Sequence, residues 1–119
     1  MNNPIYILSN SNNTVLYLGV TNNLVRRIAE HLAKIRKGFS YQYNCDKLVY
    51  YEVFPLMTNA LSLEKQLKNW KREWKNKLVN DFNPDWKDLS SEVGITIDII
   101  EIVWEQYRGI AGQARNDGK

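Results

Sequence analysis

An α/β (α+β) fold is predicted for this chain: a small three-stranded antiparallel β-sheet flanked by helices. Three observations predict it. Two β-prone runs near the N-terminus, residues 5–8 and 15–20, are separated by a short polar stretch. A third run, residues 48–54 (LVYYEVF), is β-branched and aromatic and is stopped by Pro55. Around these lie segments whose apolar residues recur every three or four positions, the spacing of a helix with one buried face. At 119 residues the chain has the size of one domain. Its 44% apolar content is that of a folded chain rather than a disordered one.

The elements follow in order. Residues 5–8 (IYIL) form the first strand. Residues 9–14 are polar, and Asn12-Asn13 suits the positive φ of a tight turn. Residues 15–20 therefore return as the second strand of an antiparallel hairpin. Thr21 or Asn22 can cap a following helix, because a side-chain oxygen there accepts from free backbone N–H groups. Leu24, Ile28, Leu32 and Ile35 give that helix its apolar stripe, and Gly38 ends it. After the third strand, one long helix is expected over residues 59–82. Ala60, Leu63, Leu67, Trp70, Trp74 and Leu78 face inward, with Lys65, Lys68, Lys71, Arg72 and Lys75 on its other faces. Asn83-Pro84 terminates it. Residues 86–93 pack back as a helix or turn. Residues 95–107 contain enough Ile for a strand, but Ile99, Ile100, Val103, Trp104 and Tyr107 fit one helical face better. The organisation expected is a domain over residues 1–90, a helical extension over 91–108 and a disordered tail over 109–119.

Charge and cysteine usage narrow the setting. Residues 1–23 carry no charged side chain; residues 24–87 hold 13 Lys/Arg against 7 Asp/Glu, a local +6; residues 88–107 hold 5 acids and no base. The central block is the face for a polyanion, although Lys-rich helices are also ordinary solvated surface. One cysteine, Cys45, excludes an internal disulfide and points to a reducing, cytoplasmic compartment. No secretory leader is expected, since the N-terminus has no basic segment and its apolar run is short. No stretch is long enough to span a bilayer, so no membrane partner is expected.

A spaced pattern carries the chemistry. Pro4-Ile5-Tyr6 lies in the first strand and Tyr17-Leu18-Gly19 in the second; Arg27 and His31 follow four apart, and Glu64 sits in the Lys/Trp-rich helix. The segment Tyr17-Leu18-Gly19-Val20-Thr21-Asn22 running into Arg26-Arg27-Ile28-Ala29-Glu30-His31, together with residues 64–70 and 83–89, resembles the GIY-YIG nuclease superfamily, in particular its small single-domain bacterial, UPF0213-like members. The resemblance covers residues 4–90. The first glycine of the family's name is Pro4 here, and the isoleucine of its second motif is Leu18; both are backbone or packing positions.

The resemblance implies a metal-dependent endonuclease that hydrolyses DNA phosphodiesters, with in-line attack by water leaving 5′-phosphate and 3′-hydroxyl ends. Glu64 then supplies a hard oxygen ligand for one Mg²⁺ (or Mn²⁺), with water and phosphate oxygens completing the shell. The alternative for Glu64 is an i,i+4 helix partner of Lys68. Arg27 can present its fork of donors to the phosphate. His31, the sole histidine, can orient a tyrosine, contact phosphate or shuttle a proton. A phenol has an unperturbed pKa of about 10 and is a poor base unless a cation lies near. By the resemblance Tyr17 activates water and Tyr6 positions it, with the reverse assignment open. Asn83 braces the site or serves as a helix C-cap. Arg26, Lys34, Lys47, Lys65, Lys68, Lys71, Arg72 and Lys75 are the expected nucleic-acid contacts, with Tyr41 and Tyr43 in the loop before the third strand. Trp70, Trp74 and Trp86 are expected in the core.

Two other classes fit the same features: a nucleic-acid-binding module of this fold that cleaves weakly or not at all, and an interaction domain that self-associates through the acidic, Ile-rich C-terminal segment. The chain has no room for a separate targeting domain, so low sequence specificity or a protein partner is expected. Oligomeric state is open.

Overall fold

The computed structural model describes residues 3–35 and 42–117, with residues 109–117 as backbone only. Strand β1 (Asn3–Ser9) and strand β2 (Leu16–Val20) are followed by helix α1 (Leu24–Leu32) and strand β3 (Lys47–Phe54). Helices α2 (Met57–Lys68), α3 (Arg72–Phe82) and α4 (Ile97–Asp117) complete the described chain. The sheet is three-stranded, in the order β2-β1-β3, and antiparallel throughout. No described helix is long and apolar enough to cross a membrane.

Central β1 is buried along its whole length, so its alternating side chains feed two cores. Tyr6 and Leu8 point to the face covered by α1 and α4, where they meet Ile28, Ala29, Leu48, Leu89, Ile95 and Val103. Ile5 and Ile7 point to the other face, against Ala60 and Leu67 of α2 and Val79 of α3. The β1–β2 register pairs Tyr6 with Gly19 and Leu8 with Tyr17. The β1–β3 register slips by one residue between Ile7 and Leu8, leaving Val49 without a cross-strand partner. The amide of Asn83 satisfies that gap, donating to the Val49 carbonyl at 3.2 Å and to the Lys87 carbonyl at 2.8 Å.

The hairpin turn behaves as expected, with Asn13 at φ 60°. Asn10 closes the loop, its side-chain oxygen accepting from the backbone N–H groups of Thr14 and Val15. Two expectations for α1 are corrected. The cap of α1 is Asn23, not Thr21 or Asn22; its side chain accepts from Arg26 N at 3.1 Å, while Thr21 Oγ1 accepts from Asn23 N. The same helix ends at Leu32 rather than running to Gly38, which lies outside the described residues. Lys34 takes φ 59°, and the N–H groups of Lys34 and Ile35 bond back to His31 and Glu30, a Schellman ending made without glycine.

The single helix expected over residues 59–82 is two helices. Lys71 is extended (ψ 152°), and the Asn69 side chain caps the end of α2 by donating to the Lys65 carbonyl. In one continuous helix Leu67 and Val79 would lie roughly 120° apart around the axis. The break re-aims α3 so that both are buried. It also leaves Trp74 51% exposed, against the expectation of a core residue, while Trp70 and Trp86 are half-buried. Residues 86–96 are turns and extended chain, tied to the sheet by a Leu89 N to Leu48 O bond of 2.8 Å. Residues 95–107 are helical from Ile97, as their periodicity favoured, and α4 packs on α1 through Val103.

Candidate active site

A cleft opens along the β2 edge, where the two faces of the sheet meet. It is lined by Tyr6 and Tyr17 from the hairpin, Arg27 from α1, Glu64 and Lys68 from α2, and Lys75 from α3. Strand alternation explains the tyrosines: Tyr6 on β1 and Tyr17 and Gly19 on β2 share the face toward α1. Their rings and that of His31 form a triangle, with centroids 6.2 Å (Tyr6–Tyr17), 5.9 Å (Tyr6–His31) and 5.4 Å (Tyr17–His31) apart. Tyr6 is fully buried, and its hydroxyl shares a 3.2 Å hydrogen bond with His31 Nε2.

Gly19 is what lets Tyr6 reach the cleft. A Cβ on Gly19 would stand 2.5 Å from Tyr6 Cζ and 2.5 Å from its hydroxyl oxygen. The phenol crosses β2 directly over the glycine, and no other residue leaves room. The sequence held a signal for this, since a glycine inside a strand marks a close approach.

Arg27 and Arg26 are adjacent and face different neighbours. Glu30 lies between them, 3.4 Å from Arg27 Nε and 3.3 Å from Arg26 Nε. Arg27 lines the cleft, whereas Arg26 donates to Gln106 of α4 at 2.9 Å. Glu64 is largely buried, and its carboxylate meets Lys68 Nζ at 3.3 Å, the i,i+4 pair expected of an ordinary helix face. Among the described residues it is also the one carboxylate in the cleft lining, a position that suits a metal ligand as well as a helix partner. A further tyrosine, Tyr50, lies outside the cleft lining. Burial and its hydrogen bond to Glu52 push that phenol far above its usual range, on the opposite face of the sheet.

The remaining candidates scatter. Asn83 lies outside the cleft lining and holds the β3 bulge. The guanidinium of Arg72 clamps the hairpin loop, donating to the carbonyls of Asn13 and Thr14 at 2.9 Å each; Lys47 Nζ reaches Asn13 Oδ1 at 2.6 Å. Lys34 Nζ lies 3.5 Å from Asp46. Lys65 and Lys71 are exposed on α2 and before α3. Tyr43 is exposed, and Tyr41 lies outside the described residues. Sequence reasoning missed the Arg72 clamp, because its acceptors are backbone carbonyls 58 and 59 residues away.

Two phenols, a guanidinium and a carboxylate thus line one cleft, with the buried His31 imidazole hydrogen-bonded behind Tyr6. Residues 2–78 match the family described as GIY-YIG catalytic domain, and the chain belongs to that nuclease family. Its relatives include UPF0213 proteins, so it is a small protein of the GIY-YIG/UPF0213 kind. One, from Natronomonas pharaonis, is 35% identical over 77 residues, covering 65% of this chain and 89% of that protein. Another, from Haloquadratum walsbyi, is 32% identical over 77 residues, covering 65% and 85%. The solution NMR structure of a UPF0213 protein from Bacillus halodurans superposes with a TM-score of 0.48 at 25% identity, covering 81% of this chain and all of that one.

Proposed function

We propose that the protein hydrolyses DNA phosphodiester bonds at the β2-edge cleft with the help of one divalent cation. The observation that carries this reading is the convergence of Tyr6, Tyr17, Arg27 and Glu64, from four separate elements, on one cleft. The donor chemistry fits a hard cation. Among the described residues no three His, Cys, Asp or Glu side chains cluster as ligands, so Glu64 would hold Mg²⁺ or Mn²⁺ together with water and phosphate oxygens. When bound, such an ion neutralises charge on the phosphate and the departing oxygen.

The chain's own residues do the rest. Arg27 binds the phosphate by its paired donors, held in direction by Glu30. Tyr17 stands at the cleft as the group that takes a proton from the attacking water. Tyr6, fixed over Gly19 and hydrogen-bonded to His31, positions that water; the reverse division of labour between the two phenols uses the same contacts. Lys68 and Lys75 draw the polyanion in, and Lys68 is exposed enough to turn from Glu64 to a phosphate. The products are 5′-phosphate and 3′-hydroxyl ends.

The Glu64–Lys68 pair favours a second reading, a nucleic-acid-binding module in which Glu64 is only a helix partner. One experiment separates the two. Purified protein is assayed with Mg²⁺ and with Mn²⁺ on linear, nicked, flapped and branched DNA, beside Glu64→Gln. Loss of roughly 100-fold or more in cleavage, with binding kept, is expected. Cleavage at the wild-type rate in Glu64→Gln removes the metal site, and a wild type that binds every substrate and cuts none leaves the binding module.

A further inference from the structure

The break between α2 and α3 creates a second exposed feature. Trp70 and Trp74 meet edge to face, with centroids 5.9 Å apart and planes at 89°. Trp70 is anchored in the core against Leu67 and Leu78, whereas about half of Trp74 is open to solvent. The two indoles line an apolar groove with Leu78, bordered by Lys77 and Asp81, whose charges are already paired at 2.9 Å. Lys75 directly follows Trp74 and Lys71 stands three residues before it, with Glu73 between; neither lysine makes an ion pair with a described residue. Lys75 lines the active cleft, so one turn of α3 carries a cleft cation and a presented aromatic side by side.

We propose that Trp74 is a stacking platform for an unpaired base on a strand that leaves the cleft, which makes the substrate one with a single-stranded segment. This inference rests on the reading of the cleft as a phosphodiester site. The chemistry selects the occupant. An exposed aromatic face with two unpaired cations within one helical turn of it in sequence matches a base and its neighbouring phosphates, the combination that binds single strands without sequence preference. A base inside a duplex has both faces covered by its neighbours and is closed to an indole. Trp74, held edge to face by Trp70, is pre-set for stacking at little entropic cost.

The test uses the full chain without divalent cation, so that cleavage does not intervene. Anisotropy of a labelled oligothymidine and of a blunt duplex of equal length reports binding. Wild type should favour the single strand. Trp74→Ala should weaken oligothymidine by roughly 5- to 100-fold, the equivalent of one stacked base, with duplex affinity unchanged. Its salt slope should be unchanged too, since no charge is lost. Trp74→Phe should keep most of the affinity, and Trp74→Leu, apolar but without an aromatic face, should bind like Trp74→Ala. If Trp74→Leu binds like wild type, the groove takes an apolar segment and the proposal is wrong. If Trp74→Ala binds oligothymidine as wild type does, the platform is absent while the cleft, tested by Glu64→Gln cleavage, stands. If wild type binds neither oligonucleotide, both readings fall. Circular dichroism checks the fold of each variant, and the Phe–Leu comparison carries the test if the alanine variant unfolds.

Discussion

The β2 edge and the outer side of α4 are both exposed to solvent, and they have opposite character. At the β2 edge, Arg27, Lys68 and Lys75 surround a cleft with one carboxylate. On α4, Asp98, Glu101 and Glu105 alternate with exposed Ile97, Ile102 and Trp104. Adjacent Arg26 and Arg27 are divided between these regions, one turned to Gln106 and the other to the cleft. A polyanion approaching such a molecule is drawn to the β2 edge rather than to the first turns of α4, where Arg108 offsets only Glu105. On the function proposed above, this charge segregation would orient a nucleic-acid substrate before any specific contact forms. A net charge of +3 conceals this.

The largest test of the comparison removes one side of it. Deleting residues 95–119 takes away buried Ile95 and Val103 and uncovers Ile28, Ala29 and Leu89. Two buried aliphatic side chains alone represent roughly 3–6 kcal/mol, against a typical total stability of about 5–15 kcal/mol. The truncated chain should lose its cooperative thermal transition by circular dichroism. A truncation that still melts cooperatively, and only forms smaller assemblies, would make α4 an association element rather than part of the core.

The next test divides the arginines. Arg27→Ala should lower cleavage by roughly 100-fold or more, as for other lost transition-state contacts, with metal binding intact. Arg26→Ala should leave cleavage near wild type and cost under about 1 kcal/mol in urea unfolding, as exposed pairs do. Equal losses in both variants would mean that α1 presents its two guanidinium groups to one ligand. The smallest effect concerns salt. Changing Lys68, Lys71 and Lys75 together to Gln should flatten the dependence of log affinity on log salt by up to about 2.7. Changing Glu101 and Glu105 to Gln should not alter it. An unaltered slope in the lysine variant would move the binding face away from α2 and α3.

The sequence made strands and hairpin readable because their signals are local. Two β-prone runs flank Asn12-Asn13, and the positive φ falls at Asn13. The set Tyr6, Tyr17, Arg27 and Glu64 was readable through the resemblance to the GIY-YIG family, and these residues line one cleft. What escaped depends on partners distant in the chain. Helical spacing runs unbroken from Ala60 to Leu78, so nothing local marked the bend after Lys68; the two burial sites for Leu67 and Val79 impose it. Asn83 reads as a helix end, and only the bulge at Val49 reveals what its amide is for. Arg72 reads as one more surface cation until the hairpin loop supplies its acceptors. Three cap-competent residues in a row, Thr21, Asn22 and Asn23, left the start of α1 ambiguous by a position or two.

The strand order β2-β1-β3 also sets a schedule for folding. β1 and β2 can zip together as soon as the loop of residues 10–15 has been made, a local event on the microsecond scale. The other edge of β1 must wait for β3, since Asn3 finds Phe54 across 51 residues. Until then a ribbon that is apolar on both faces has one open row of backbone donors and acceptors, a template for pairing with any neighbouring copy. Closing that edge demands a long loop, and long-range pairings of this kind form slowly. Late arrival of residues 47–54, whether from the ribosome or from denaturant, would keep that edge open longer, the condition under which unpaired strands aggregate.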